Sequence, residues 1–170
     1  MKINYLFFCL VLLLSACEGN NQEEVPFANC KYGQPTAIFH DALPALTEHQ
    51  FELKKTESVE KLVFNDSLEL TLIQSGCDER KQEFQFKLNG PYQDQPPSFW
   101  IEKTMDLLQK LGRLGPDYQV FSAWAEALSM QGDQIRLAQP TQVQPGFFVR
   151  IDKIVSQDHA TLLLILSEKP

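Results

Sequence analysis

Between Phe51 and Leu88 apolar and polar positions alternate along the chain. Phe51 and Leu53 flank a charged residue, Leu62 shares a face with Phe64, and Leu68, Leu70 and Leu72 share a face of their own. Phe84, Phe86 and Leu88 are interleaved with Gln85 and Lys87. Successive side chains of an extended strand point to opposite faces, so this pattern predicts half-buried antiparallel strands near 50–54, 59–64, 68–75 and 82–88. Asn65-Asp66 has the chemistry of a tight hairpin turn, and Gly76 to Lys81 reads as a second turn.

The period changes after Asn89-Gly90-Pro91 and Pro96-Pro97. Phe99 to Leu111 lacks Gly and Pro, and Ile101, Met105, Leu108 and Leu111 fall on one helical face, with Ser98 as its expected N-cap. Gly112 and Gly115 end that helix. Asp117 is expected to cap a second one carrying Val120, Phe121, Trp124, Ala127 and Leu128, which Gly132 closes. Three further strands are predicted at Gln134–Leu137, Phe147–Val155 and Thr161–Leu166, the last two joined by a turn at 156–159. The run Leu162 to Leu166 has no polar alternation and predicts burial on both faces. Cys30 to Gln50 is ambiguous: Thr36-Ala37-Ile38-Phe39 fits a short strand or the start of a helix, broken by Pro35 and Pro44. Strands, then two consecutive helices, then strands predict a single α+β domain over 27–170, with an antiparallel sheet of about six to seven strands packed against the helices.

The amino terminus is of a different kind. Lys2 precedes an apolar stretch from Tyr5 to Leu14, which ends in the small residues Ser15 and Ala16 before Cys17. About ten apolar residues are too few to span a bilayer, which takes roughly twenty, but suit a cleaved signal peptide. Leu14-Ser15-Ala16-Cys17 resembles the lipobox of bacterial lipoproteins. The resemblance implies that residues 1–16 are removed, that Cys17 receives a diacylglyceryl thioether, and that its new amino group is acylated. Glu18 in place of aspartate implies, by the same resemblance, the outer rather than the inner membrane. A single myristoyl chain anchors marginally and stable attachment takes at least two signals, so a triacylated Cys17 would hold the chain firmly. Residues 18–24 are polar and are expected to form, within 17–26, a flexible tether.

Charge and cysteines narrow the field. The chain carries a net charge of −7, and loss of the segment holding Lys2 makes the remainder more acidic. Such a domain repels phosphate backbones, so no nucleic-acid partner is expected, and the acyl chains are the expected membrane contact. Cys30 and Cys77 are the two cysteines after Cys17. In an oxidising compartment an isolated pair reads as a disulfide, which would stabilise the fold by about 4 kcal/mol in the chain-entropy model. A reactive thiol pair or metal ligands are the other reading, but neither CxxC spacing nor a nearby histidine accompanies them.

Candidate chemistry is sparse. His40-Asp41 pairs an imidazole with a carboxylate, yet neighbours on an extended chain point apart. His49 and His159 fall in polar connections and are expected to be solvated. Asp78-Glu79, before Arg80-Lys81, reads as a charged loop. Nucleophile-elbow, metal-binding His-x-x-x-His and glycine-rich phosphate motifs do not occur, and no cofactor is expected. Tyr92, in the loop Pro91 to Pro97, and Trp100 and Trp124, on the helices, are candidate contributors to a binding surface, the tryptophans otherwise serving as contacts between helices and sheet. The chain thus reads as a lipid-anchored envelope lipoprotein with a non-catalytic binding or accessory domain, its partner another envelope protein or a glycan. Two alternatives are an envelope hydrolase using His40 with nearby acids, and a carrier of an apolar ligand.

Overall fold

The computed structural model describes Phe27 and residues 30–170. Its fold is α+β. Strands β1 (Leu46–Leu53), β2 (Glu57–Phe64), β3 (Glu69–Ser75) and β4 (Lys81–Asn89) run as a meander, followed by helices α1 (Pro97–Gly112) and α2 (Gln119–Gln131). Strands β5 (Thr141–Gln144), β6 (Phe147–Val155) and β7 (His159–Ser167) complete one seven-stranded sheet in the order β1-β2-β3-β4-β7-β6-β5. Every neighbouring pair is antiparallel. The turn between β2 and β3 is closed by the Ser67 N–H, which donates to the Phe64 carbonyl at 2.8 Å with Ser67 in the left-handed region.

Alternation along the strands sets two unlike faces. Leu62, Leu70, Leu72, Phe84, Phe86, Leu162 and Leu164 lie on the covered face, each at most 1% exposed. Helix α1 packs against β6 and β7, α2 against β5, and the helices pack on each other. Segment 36–41, with Thr36 to Phe39 expected to form a short strand or the start of a helix, is neither. It is irregular chain across the covered face, where Phe39 stacks on Tyr118 and Phe121 with ring centroids 5.3 and 5.7 Å away.

Four expectations need correction. Leu162 to Leu166 is not buried on both faces: Leu162, Leu164 and Leu166 are buried, while Leu163 and Ile165 are half-buried, because the helices cover only one side. The strand predicted at Gln134–Leu137 is a short 3-10 turn followed by irregular chain, and the strand lies at Thr141–Gln144. Ile135 is buried there as an anchor for the connection rather than as a strand residue. Ser98 does not cap α1; Pro97 occupies the first helical position, where a missing N–H costs nothing. Asp117 lies in a 3-10 turn, Pro116–Tyr118, that leads into α2 without a side-chain cap.

The helices approach closely at Gly112. A Cβ added there would lie 1.9 Å from Ser122 Oγ and 2.9 Å from the Ser122 backbone nitrogen. The backbone nitrogen cannot turn aside as a side chain could, so Gly112→Ala must push α1 away from α2. Overpacking of this kind costs about 1–3 kcal/mol. Urea denaturation of Gly112→Ala is expected to show that loss, and an unchanged midpoint would mean the helix pair is not tightly apposed.

Candidate functional site

One end of the sheet is built around the bridge between Cys30 and Cys77, which forms as the cysteine pair predicts. The Lys31 N–H donates to the Cys77 carbonyl at 2.8 Å, so the incoming chain runs along the end of β3 and delivers Tyr32 beside the end of β7. There the Tyr32 hydroxyl donates to Glu168 Oε2 at 2.6 Å and accepts from Lys31 Nζ at 2.6 Å. The Arg80 guanidinium lies over the same ring, 4.5 Å from its centroid, a cation–π contact. The backbone N–H of Glu168 donates to the Arg80 carbonyl at 3.3 Å and holds the two strand ends together. A cleft of about 440 Å³ opens here, with Tyr32, Gln74, Arg80, Gln82, Phe147 and Glu168 among its walls. The Tyr32 hydrogen bond holds the Glu168 carboxyl below its ordinary range, and the same hydroxyl raises the Lys31 ammonium.

Asp78 and Glu79 sit beside the bridge. Glu79 pairs with Lys169 at 2.6 Å, a contact that raises the lysine, and Asp78 is exposed. Asp78 is the solvated member of this charged loop, while Glu79 is half-buried.

The histidines fall differently from expectation. His40 is exposed; its backbone N–H donates to the Tyr118 hydroxyl at 3.1 Å, and its ring meets the Tyr118 ring edge-on. Among the described residues no carboxylate pairs with the His40 ring. His49, expected to be solvated, lies in β1 with its side chain 7% exposed. Its Nδ1 contacts Asp41 and its Nε2 lies 2.8 Å from Glu60 Oε1. A carboxylate only accepts, so both contacts are hydrogen bonds only when both ring nitrogens carry protons. Neither nitrogen is then free to take a proton from a substrate, as a general base must. His159, expected in a turn, begins β7 with Nδ1 2.8 Å from Asp158 Oδ1, a bond that lowers the Asp158 carboxyl.

Glu60 itself is fully buried. It accepts the backbone N–H groups of Ile38 and Phe39, each at 2.9 Å, besides His49. These charge-assisted bonds satisfy a carboxylate that would otherwise be costly to remove from water. Its work is to fasten segment 36–41 to β2.

The aromatic candidates divide. Trp100, a candidate either for a binding surface or for contact between helices and sheet, is fully buried beneath Lys153, because its helical position faces the sheet. Tyr92 is half-buried against Phe99 and Trp100. Its loop is tied down by Gln93 Nε2, which donates to the carbonyls of Ser156 and Gln157 at 2.8 and 2.6 Å. Trp124 meets Phe84 and Phe121 edge-on and keeps one side exposed, lining with Leu108, Ala127, Val143 and Phe147 an apolar groove of about 220 Å³. Cys17 lies outside the described residues.

Sequence reasoning missed Tyr32, Arg80, Glu168 and Glu60. The first three come from distant parts of the chain and carry no local signal. Glu60 does: it falls in register with Leu62 and Phe64, an acid at an inward-facing strand position. No family model matches this chain, and no curated protein or solved structure matches it either.

Removing the Glu60 carboxylate takes away the buried acceptor of the Phe39 N–H and the partner of the part-buried Ile38 N–H and His49 Nε2. Glu60→Ala is expected to cost about 3 kcal/mol in chemical denaturation and to speed amide exchange at Ile38 and Phe39. Unaltered exchange there would show that Phe39 packing alone holds the segment. The depressed Glu168 carboxyl adds stability at pH values above the ordinary glutamate range, and that increment disappears as pH falls through its folded value. Tyr32→Phe is therefore expected to move the Glu168 midpoint upward in a carbon-detected NMR titration; an unmoved midpoint would exclude the hydroxyl as its cause.

Proposed function

We propose that this protein is a lipid-anchored lipoprotein of the bacterial envelope, whose folded domain works by binding another envelope component rather than by catalysis. One observation carries the reading: the bridge between Cys30 and Cys77. A structural disulfide persists in an oxidising compartment, which agrees with export through the amino-terminal signal. The same bridge fixes the chain that presents Tyr32, and so gives the cleft a rigid wall. Preorganised walls of this kind lower the entropy lost on binding.

Anchoring rests on the resemblance of Leu14-Ser15-Ala16-Cys17 to a lipobox. Among the described residues no helix is long and apolar enough to cross a membrane. Acyl chains on Cys17 would supply the hold instead, with the outer membrane favoured by Glu18. The polar residues 18–24 would let the domain reach away from the lipid surface toward its partner.

The binding reading is supported further by His49, whose two ring nitrogens are both taken up by carboxylates. The hydrolase alternative drew on His40 and nearby acids, and it is Asp41 with His49, not with His40, that the fold pairs. Substitution of the acylated residue tests the anchoring directly. Cys17→Ser is expected to move the chain from the membrane pellet to the supernatant while leaving its denaturation midpoint in place. Retention of the variant on membranes after a high-salt wash would refute anchoring through Cys17.

A further inference from the structure

The cleft beside the disulfide has an uneven electrostatic inventory. Glu168 accepts from the Tyr32 hydroxyl it shares with Lys31 and from the Arg80 backbone N–H at 3.5 Å. Glu79 is matched by Lys169, and Glu83 by Lys81 at 3.2 Å. Arg80 is different. Among the described residues no carboxylate lies within ion-pair distance of its guanidinium. The group lies over the Tyr32 ring, 4.5 Å from its centroid, on an otherwise exposed side chain. A guanidinium placed this way still offers N–H donors along its edge, in a fork that matches the two oxygens of a carboxylate.

The rest of the cleft sets the size and character of what the fork would hold. Its volume of about 440 Å³ lies within the range of small-molecule sites. Phe147 and Leu166 give it apolar wall, while the side-chain amides of Gln74 and Gln82 line it from β3 and β4. The Gln74 amide nitrogen already donates to the Thr36 carbonyl at 2.9 Å, and Gln82 Nε2 donates to Gln74 Oε1 at 3.4 Å. Those amides are therefore held in place before any ligand arrives.

We infer that this cleft binds an organic carboxylate carrying an apolar group, with Arg80 taking the carboxylate and Phe147 the apolar part. The inference rests on the binding reading above and names its ligand class. Such a ligand presents itself at the end of a peptide and at the head of a fatty acid, and the two sources differ in what surrounds the carboxylate.

Calorimetric titration of the full-length chain in detergent micelles separates the outcomes. N-acetylphenylalanine stands for a peptide end, hexanoate for an acyl chain, and N-acetylphenylalaninamide for the same shape without charge. At least one carboxylate is expected to bind tenfold or more tighter than the amide, and the tighter of the two assigns the source. Arg80→Gln is expected to abolish that preference, and Arg80→Lys to retain part of it, since the charge survives but the fork does not. Lys87→Gln, which removes a cation paired with Glu69 at the other end of β4, is expected to leave the preference intact. Equal binding of amide and carboxylates, or a preference undiminished in Arg80→Gln, overturns the assignment. Calorimetry is indifferent to where the chain resides, so that failure would leave the anchoring to be decided by Cys17→Ser.

Discussion

Two helices cannot roof seven strands, and that mismatch of widths governs this molecule. Strands lie about 4.8 Å apart, so the sheet is on the order of 30 Å across, whereas each helix with its side chains covers about 10 Å. The helices cover the β7-β6-β5 side, and the strip over β2 and β3 falls to the irregular chain between Thr36 and Asp41. A helix satisfies its own backbone groups internally; an irregular segment laid on a core does not. Glu60 is the answer to that constraint. Its carboxylate receives the N–H groups of Ile38 and Phe39, which lack a backbone partner in any strand or helix, and His49 adds a third contact. With the segment pinned, Phe39 completes a stack with Tyr118 and Phe121 that joins the strip to α2.

The disulfide solves the same problem at the other end of that segment. Cys77 follows β3 and Cys30 precedes the roofing chain, so the bridge and Glu60 grip it on either side of residues 31–37. The stretch between the grips is what forms one wall of the cleft. Covering a core and presenting Tyr32 are thus achieved by one piece of chain, and a change that loosens either grip reaches the cleft through its backbone.

The regular elements were legible in the sequence because each has one wet and one dry face. Phe84, Phe86 and Leu88 announce a strand, and Leu108 and Leu111 a helix, by spacing alone. Ile135 and Leu137 show where spacing misleads: two apolar residues separated by one anchor a connection as readily as they build a strand. The uniform run from Leu162 to Leu166 misled in the opposite direction, since Leu163 and Ile165 tolerate a half-open face that their composition does not reveal. The roofing segment has no period to read, and its partner Glu60 shows only as a charge standing in phase with the apolar Leu62 and Phe64. The cleft is less legible still, since Tyr32 and Glu168 meet across 136 residues and nothing nearby in sequence marks either.

The strand order carries a kinetic consequence. Strands β1 to β4 pair with sequence neighbours, and β5 to β7 do the same, but the two groups join only where β7 lies down beside β4. The seam between halves is therefore made by the element that leaves the ribosome last among the seven, and it spans the helical insertion. Long-range pairing of this sort is slow compared with hairpin closure. A nascent chain can form local hairpins early, yet its two groups of strands stay unjoined until β7 is available to lie beside β4.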